Sequence, residues 1–586
     1  MSRTRIPIAA GDIQVNFCKN PLCKYFGVPA GEEHVPKGRS ANLRRNDPYT
    51  ISGGGNGIQT LKCHGCNEFP PIKSNHGIRE ELDRMTRYLI PAKTPSCPDP
   101  SCPNHTVPIT EKKAYYRFGS TKSGSKRYRC RLCQQTFSVG RSTLRHKKPE
   151  KNEEIFNLLV NKSVFKRMCN IADVRINTIY GKIDFLYRQC QAFAGSIEME
   201  LPNLKLPELF ISVDRQDYLV NWTRAGNKKN VQLSSIGSAD NESGFVFGMH
   251  LNYDETINPY NLEDDVEACG DYKVPPAFRQ HARLWLKKDY ELSLLTGSKK
   301  RSIGTSLGTS IRDTYAELSV RDDVESPDTP SVYNDLPEYG VQVHAEYTLY
   351  GHFFFLRKML GGVGKVRFYL DQESGIRAAC LAAFRDEIMA KTCDAFYVKI
   401  EKDLTVNQKY ALCGKSNAAL EEFRESSEAY RDLLDSEIRH LMIIEEMQNL
   451  VAIGKWRDRW LQYPFPTMTE PLKAVCWLTD IGDRYYSDDD LADLYGSASL
   501  HGIDRFFMQV RRKISPLERP VSSSSSGNRR WYGYAPYNPA LIIKLLEIFR
   551  VYYNYVQLGE DKRTPAMRLG LLDREVTLRE IIDFAT

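Results

Sequence analysis

Residues 209–214, LFISVD, and residues 366–371, VRFYLD, are two short apolar runs that each end on an aspartate, Asp214 and Asp371. Runs of this length, rich in β-branched and aromatic residues, are typical of buried strands. A carboxylate at the end of a strand is held by a rigid element rather than by a loop. Two such carboxylates on adjacent strands could share divalent metal ions, as in enzymes that cut and join phosphodiester bonds. For either aspartate alone, a polar residue that ends a strand is the favoured interpretation.

The segments around the two runs give an order of elements. The β pattern returns at residues 231–236 and 245–251, with turn residues in each gap, so a three-stranded meander is predicted. A helical segment precedes the run that ends at Asp371, and a second helix and a fifth strand, residues 395–400, follow it. The order β-β-β-α-β-α-β is that of the ribonuclease H-like fold, in which the first and fourth strands are neighbours. The sequence therefore predicts that Asp214 and Asp371 lie together.

A third carboxylate is expected on a helix after the fifth strand. Asp504 is the candidate, within HGIDRFFMQVRRK at residues 501–513. This segment resembles the Gly-x-Ile-Glu-Arg-Phe-Phe helix of the DDE transposase and retroviral-integrase superfamily, with aspartate in place of glutamate. Residues 552–556, YYNYV, and residues 563–571, RTPAMRLGL, are similar to the closing signature of the same group. The resemblance extends from about residue 209 to residue 571.

The resemblance implies a catalytic triad of Asp214, Asp371 and Asp504 that holds two Mg²⁺ or Mn²⁺ ions. Aspartate is one methylene shorter than glutamate, so either the metal would sit differently or the helix would approach more closely. Glu446, or its neighbour Glu445, is the fallback for the third ligand. A solvated helix face is the favoured explanation of those two glutamates.

Eight of the 15 cysteines form four close pairs before residue 134. They are Cys18 and Cys23, Cys63 and Cys66, Cys97 and Cys102, and Cys130 and Cys133. Paired thiolates at short spacing predict two tetrahedral Zn²⁺ sites. The second set includes YRCRLCQQTF at residues 128–137, which resembles the second knuckle of the zinc ribbons at the front of some insertion-sequence transposases.

The first cysteine set is the looser one, because 39 residues separate its two pairs. His34, His64 or His76 could therefore replace one of its cysteines. Disulfide bonds are the structural alternative for both sets. They are not expected, because no signal peptide opens the chain and a large enzyme that acts on nucleic acids belongs in a reducing compartment.

Residues 153–193 predict a helix-turn-helix. Residues 165–172 would form its first helix, residues 173–176 the turn, and residues 177–186 the helix that reads DNA. In this motif the N-terminal end of the second helix contacts base edges, which makes four residues candidates for DNA contacts. They are Asn177, Thr178, Tyr180 and Lys182. A plain helical hairpin in a linker domain would give a similar pattern.

Positive charge is concentrated in the first 150 residues. That segment holds 26 Lys and Arg against 11 Asp and Glu, a balance of +15, whereas the whole chain carries +8 and the remainder therefore −7. Such an asymmetry is typical of a region that binds phosphate. Arg127, Arg129 and Arg131 lie within the second cysteine set and are predicted DNA contacts, although a solvated basic face would look the same.

Together these segments predict a multidomain protein, in which zinc ribbons and a helix-turn-helix precede an α/β ribonuclease H-like catalytic core with a helical insertion. The predicted boundaries are 1–90 for the first zinc module, 91–148 for the second, 149–198 for the helix-turn-helix, 205–515 for the core and 516–586 for a linker and helical tail. Insertions into the core are predicted at about 254–340 and 403–500. No apolar stretch approaches the roughly 20 residues that cross a membrane, and a cytoplasmic, nucleoid-associated protein is expected.

The resemblance also implies an activity, that of a DNA transposase that cleaves the ends of its element and joins the freed 3′-hydroxyls to target DNA. Terminal inverted repeats and target DNA would be its double-stranded partners. A homo-oligomer on DNA is expected because strand transfer joins two ends. Two alternatives stay open. One is a domesticated, catalytically inactive relative that only binds DNA, and the other is a ribonuclease H-like nuclease that does not join strands.

Overall fold

The computed structural model describes most of the chain. The described residues are 4–32, 47–53, 58–90, 95–109, 111–121, 125–140, 142–143, 146–221, 229–296, 311–312, 330, 334–401, 404–453, 457–482, 485–518, 521–522, 530–531 and 538–584. Most of residues 297–333 in the first predicted insertion, and most of the predicted C-terminal linker, lie outside them.

The strands are, in chain order, β1 (Tyr49–Gly53), β2 (Gln59–Cys63), β3 (Tyr115–Ser120), β4 (Lys126–Cys130), β5 (Thr136–Val139), β6 (Leu206–Asn221), β7 (Asn230–Asp240), β8 (Val246–Leu251), β9 (Tyr253–Asp254), β10 (Val341–Gln342), β11 (Val363–Asp371), β12 (Cys393–Ile400), β13 (Val451–Ile453), β14 (Asp458–Gln462), β15 (Lys473–Trp477), β16 (Val521–Ser522) and β17 (Arg530–Trp531).

The helices are α1 (Asn75–Thr86), α2 (Asn152–Leu159), α3 (Phe165–Ala172), α4 (Ile176–Glu198), α5 (Pro259–Cys269), α6 (Lys287–Thr296), α7 (Ala345–Met359), α8 (Ser374–Ala383), α9 (Arg385–Met389), α10 (Val406–Glu425), α11 (Asp435–Glu446), α12 (Asp488–Ser497), α13 (His501–Lys513), α14 (Pro539–Tyr555), α15 (Pro565–Leu569) and α16 (Leu578–Ile582). Within the described residues, none of them combines the length and the hydropathy needed to cross a membrane.

The chain divides into two compact units, and each unit is built from two separate segments. The first unit contains Met1–Met85 and Lys205–Arg505, and the second contains Thr86–Leu204 and Phe506–Thr586. The first cysteine set therefore belongs to the same unit as β6 and β11, the strands that carry Asp214 and Asp371. The second cysteine set belongs to the same unit as α3 and α4.

The centre of the first unit is a mixed sheet that has eight strands within the described residues, in the order β13-β14-β15-β12-β11-β6-β7-β8. β6, β7 and β8 form an antiparallel meander, β11 lies parallel to β6 on its other side, and β12 lies parallel to β11. The first and fourth of the predicted strands are therefore neighbours, as the sequence indicated. The middle strands are largely buried, which explains their nearly continuous apolar sequences.

The second insertion extends this sheet. Its helices α10, α11 and α12 are present, but β15 pairs antiparallel with β12, β14 with β15, and β13 with β14. The prediction of a helical insertion was incomplete, because strands of three to five residues are too short to show a periodicity. Trp460 stacks on Tyr397 and Trp477 stacks on Phe396, with ring planes 10° and 15° apart, so both tryptophans are core residues.

Helices cover both faces of the sheet at β11. Phe368 packs against Phe353 of α7, with ring centroids 5.6 Å apart. The next residue, Tyr369, has its hydroxyl 2.8 Å from the hydroxyl of Ser497 in α12, within hydrogen-bonding distance. Successive side chains of a strand point to opposite faces, so α7 and α12 lie on opposite sides of the sheet.

A cluster of ion pairs fastens α1 within the first unit. The guanidinium of Arg283 contacts Glu80 and Glu81 of α1 at 3.2 and 2.6 Å, and Asp254 of β9 at 2.9 Å. Arg84 of α1 pairs with Glu81 at 2.7 Å. Burial acts to lower the pKa of Arg283, but Glu81 and Asp254 outweigh it and raise the pKa above its usual value. The helix that follows the first cysteine set is thereby tied to β9, which pairs with β10.

The second unit contains a three-stranded antiparallel sheet of β3, β4 and β5, and helices that pack around α4. The carboxylate of Glu198 in α4 is fully buried and pairs with Arg550 of α14 at 2.7 Å. It also accepts hydrogen bonds from the hydroxyls of Tyr555 at 2.8 Å and Tyr88 at 2.5 Å. Arg550 is only 2% exposed, so this ion pair is surrounded by protein.

Replacing Arg550 with methionine is expected to lower the free energy of unfolding of the second unit by about 3–5 kcal/mol, since the buried Glu198 carboxylate loses its cation. Hydrogen–deuterium exchange of α4 and α14 measures the change. Arg579→Met is the control, because the side chain of Arg579 is 77% exposed and the loss of such a pair costs about 0–1 kcal/mol. Equal exchange in the two variants would contradict the expectation.

Candidate functional site

Asp371 is the last residue of β11, and Asp214 lies beside it within β6, which continues along β7 to Asn221 beyond the end of its pairing with β11. The register pairs Leu370 of β11 with Val213 of β6, so the next pair along the two strands is Asp371 and Asp214. Paired residues on adjacent strands project from the same face of a sheet. Both aspartates are half-buried. The pairing of the backbones therefore places the two carboxylates side by side.

The N-terminus of α13 docks on the same face of β6. The hydroxyl of Ser212, two residues before the first aspartate, accepts a hydrogen bond from the backbone N–H of Ile503 at 3.0 Å. The side-chain oxygen of Asn241, just after β7, accepts a bond from the N–H of Gly502 at 3.1 Å. Asp504 follows directly in the first turn of the helix and is half-buried. The docking thus brings the third candidate carboxylate to the strand that carries the first.

Gly502 permits this close docking. A Cβ at this position would lie 2.6 Å from Oδ1 of Asn241 and 2.9 Å from Oγ of Ser212. Both distances are shorter than nonbonded atoms tolerate, and a close-packed interior has no room to absorb the displacement. A side chain at position 502 would therefore move α13, and Asp504 with it, away from the strands.

The three aspartates form a wider arrangement than a compact ligand cluster. In the described part of the chain, three groups of His, Cys, Asp or Glu have all their ligand atoms within 4.8 Å of one another, and the aspartates are not such a group. Next to the aspartates, Arg215 of β6 pairs at 3.1 Å with Glu373, which lies just after the end of β11.

The residues that position the candidate site were missed in the sequence. Ser212 carried one available signal, because it is a polar residue inside an apolar run and a buried hydroxyl needs a hydrogen-bond partner. The bond between Asn241 and Gly502 spans 261 residues and leaves no local pattern. Arg215 and Glu373 look like ordinary surface residues until the strands pair.

The fallback glutamates, Glu445 and Glu446, end α11 in the second insertion. Glu445 is exposed and Glu446 is half-buried. Burial, and after it the charge of Glu445, raises the pKa of Glu446. Their helix packs against α10 and α12, and both residues fit an ordinary helix surface.

The first cysteine set comes together as one group of four sulfurs. Sγ of Cys18 lies 3.4 Å from Sγ of Cys66, and Sγ of Cys23 lies 3.7 Å from Sγ of Cys63. A disulfide bond would require about 2.05 Å, whereas the sulfurs around a tetrahedral zinc with bonds of about 2.3 Å lie roughly 3.8 Å apart. The hydrogen bond with Cys18 lowers the pKa of Cys66 to about 5, which favours a thiolate ligand. The group could hold zinc.

Two of the three histidines considered as replacement ligands, His64 and His76, lie outside this group. The ring of His64 is hydrogen-bonded to Thr50 at 2.7 Å, and His76 is exposed beside Glu80 at 3.8 Å. His34 lies outside the described residues. Among the described residues, the candidate zinc ligands of this group are therefore the thiols of its four cysteines.

The second cysteine set forms a similar group beside β4. Sγ of Cys97 lies 3.3 Å from Sγ of Cys133, and Sγ of Cys102 lies 3.7 Å from Sγ of Cys130. Burial acts to raise the pKa of Cys130, but hydrogen bonds from the backbone of Cys133 and the side chain of Asn104 outweigh it and lower the pKa to about 6. This group too could hold zinc.

Cysteines also make up most of the core around this second group. Its buried residues are Cys97, Cys102, Ala114, Tyr115 and Cys130, with a few half-buried apolar side chains against them. A core of this size does not stabilise a small sheet, and modules of this kind usually depend on a metal.

The predicted helix-turn-helix segment contains α3, which has the predicted bounds, and α4, which is longer than predicted and continues to Glu198. Between them Asp173 adopts a left-handed conformation with φ of 50°. At the N-terminal end of α4, Asn177 and Tyr180 are exposed and Thr178 is half-buried. These three side chains are available to a partner.

Lys182 is placed differently from the expected DNA contact. It is 4% exposed, and its ammonium donates to the backbone carbonyl of Lys148 at 3.2 Å. Burial lowers its pKa. The helical periodicity explains the difference, because position 182 lies on the same side of α4 as the buried Ile179.

Arg127, Arg129 and Arg131 lie at alternate positions along β4 and beyond its end. The guanidiniums of Arg127 and Arg129 lie over the ring of Phe118, 5.5 and 5.6 Å from its centroid, and that of Arg131 lies over Tyr116 at 5.5 Å. Phe118 is 42% exposed. The outcome is a basic and aromatic surface on the second unit.

No protein-family model matches the chain, and a search of curated proteins found no match. The argument for a function therefore depends on the residues and geometry of these sites.

Gly502→Ala is expected to loosen the docking of α13 at a cost of about 1–3 kcal/mol, the usual cost of overpacking. Hydrogen–deuterium exchange of residues 501–505 reports the loosening. Gly496→Ala is the matched control, because a Cβ there would have its nearest neighbour at 3.5 Å. Faster exchange in the control than in Gly502→Ala would refute the docking argument.

Cys130→Ser is expected to remove one bound zinc per chain and to expose residues 95–140 to trypsin, because that segment loses the metal that supplements its small core. Elemental analysis and limited proteolysis measure the two effects. Cys169→Ser changes a cysteine outside both groups and should leave zinc content and proteolysis as in the unchanged protein. Full protection of the segment in Cys130→Ser would argue against a structural metal.

Proposed function

We propose that the protein is a DDE-type DNA transposase with a ribonuclease H-like core, in which Asp214, Asp371 and Asp504 form a D-D-D triad. The observation that carries the proposal is the parallel register of β6 and β11, which sets Asp214 and Asp371 side by side where the pairing of the two strands ends. The strand order of the sheet, with an antiparallel meander followed by two parallel neighbours, supports the same assignment.

The docking of α13 supports Asp504 as the third member. A shorter carboxylate in place of glutamate requires a closer helix, and α13 approaches β6 so closely that position 502 has no room for a Cβ. The helix is held there through Ser212 and Asn241. The close approach of α13 would thereby compensate for the side chain of Asp504, which is one methylene shorter than glutamate.

The oxygen donors of the triad suit Mg²⁺ or Mn²⁺. When bound, such ions would activate water, or a 3′-hydroxyl, as the nucleophile and stabilise the leaving oxygen. Asp214 and Asp371 are oriented by strand pairing, and Asp504 is oriented by the docked helix. The Arg215–Glu373 pair links β6 to the residues just after β11 beside them.

The second unit would supply surfaces for double-stranded DNA, both terminal inverted repeats and target. Asn177, Thr178 and Tyr180 would contact bases from the start of α4 as in a helix-turn-helix. The surface of Arg127, Arg129 and Arg131 would contact phosphates. The two cysteine groups would act as zinc ribbons, and a homo-oligomer would hold two DNA ends together.

A strand-transfer assay tests the proposal. The full chain is mixed with Mg²⁺ or Mn²⁺, a labelled duplex carrying the ends of its own locus, and a supercoiled plasmid. Alanine at position 214, 371 or 504 should reduce joining by at least about 100-fold, more than the 10- to 100-fold typical of losing a residue that only supports a metal ligand. DNA binding should persist, because the triad is separate from the DNA-reading helix.

Asp217→Ala is the matched control. Asp217 lies three positions after Asp214 on β6 and is exposed, with Gln232 donating to it at 3.3 Å. Joining by this variant should equal that of the unchanged protein. Specific binding without nicking or joining would instead indicate a domesticated DNA-binding relative, which the aspartate at position 504 keeps open. Nicking without joining would indicate a nuclease.

A further inference from the structure

The first insertion contains a third cluster of metal-binding side chains, separate from the triad and from both cysteine sets. The ligand atoms of Cys269, Asp271 and His281 all lie within 4.8 Å of one another. A thiol, a carboxylate and an imidazole converge there, and each of these groups is a common ligand of zinc.

The local fold brings the three side chains together. α5 ends at Cys269, and Gly270 turns the chain with a left-handed φ of 75°. The two carboxylate oxygens of Asp271 accept hydrogen bonds from the backbone N–H groups of Gln280 and His281, both at 2.9 Å. The loop of residues 271–281 is thereby closed on itself, and its last residue returns to the helix end.

The side chains at this place have little else to bind. Nε2 of His281 is buried and has no hydrogen-bond partner among the described residues. The thiol of Cys269 is exposed and makes one long contact, 3.6 Å to the carbonyl of Val266. A buried polar atom without a partner is costly, and a bound cation would satisfy it.

We propose that Cys269, Asp271 and His281 form a zinc site with three protein ligands. Each oxygen of Asp271 accepts one backbone bond and retains further acceptor capacity for a metal. The thiol and imidazole favour zinc over Mg²⁺ or Ca²⁺, which take oxygen ligands. Because Cys269 is exposed, water or an incoming donor completes the fourth position. The ion would link the end of α5 to the end of the loop.

Zinc stoichiometry of the full chain tests the site. The protein is saturated with Zn²⁺, freed of excess by gel filtration and measured by elemental analysis. His281→Ala should lose one zinc per chain relative to the unchanged protein, whatever the two four-cysteine groups hold. His76→Ala, an exposed histidine outside every group, should lose none. Equal zinc content in all three proteins would overturn the proposal.

Alkylation of single thiols gives a second measurement that does not need an intact variant. Zn²⁺ should slow the modification of Cys269 by iodoacetamide, read by peptide mass spectrometry, and should leave that of the half-buried Cys413 unchanged. Equal modification of Cys269 with and without Zn²⁺ would overturn the site. Neither measurement involves DNA or strand transfer, so the zinc site and the proposed transposase activity can fail independently.

Discussion

The parallel pairing of β6 with β11 is the constraint on which the candidate catalytic centre depends. The meander, the first insertion and α7 separate the two strands along the chain, yet the backbone register alone makes Asp214 and Asp371 neighbours. The third aspartate is positioned in another way, through side-chain bonds from Ser212 and Asn241 to the first turn of α13. A backbone ladder tolerates most side-chain changes, whereas a helix held by two polar side chains and one glycine does not.

The two four-cysteine groups share a donor set but have different surroundings. The first lies in the unit of the large sheet, where α1 is fastened by the ion pairs of Arg283. The second lies against a small sheet whose buried residues are mostly its own cysteines. Zinc held by the second group would therefore be closely linked to folding, since little else excludes water from that sheet.

Strong local patterns predicted the strands that carry Asp214 and Asp371, the neighbouring order of the first and fourth strands, and the bounds of α3. Weak ones failed. β13 to β15 are too short to show alternation. Lys182 looked like a DNA contact because its chemistry suits phosphate, but its position on α4 faces the interior. The contacts of Gly502 arise between distant segments, and the polar residue at position 212 inside an apolar run was their one local signal. Cys269, Asp271 and His281 follow no familiar ligand spacing, and their loop alone brings them together.

The glycine at the start of α13 also bears on how this chain can change over evolution. Since the helix is aligned by contacts made within its own first turn, its placement does not depend on the length of the segment that leads to it. The segment between β12 and β13, which contains α10 and α11, can then grow, shrink or exchange elements while the third aspartate keeps its position. A region with this freedom is where related chains can acquire new partners without rebuilding the centre beside it.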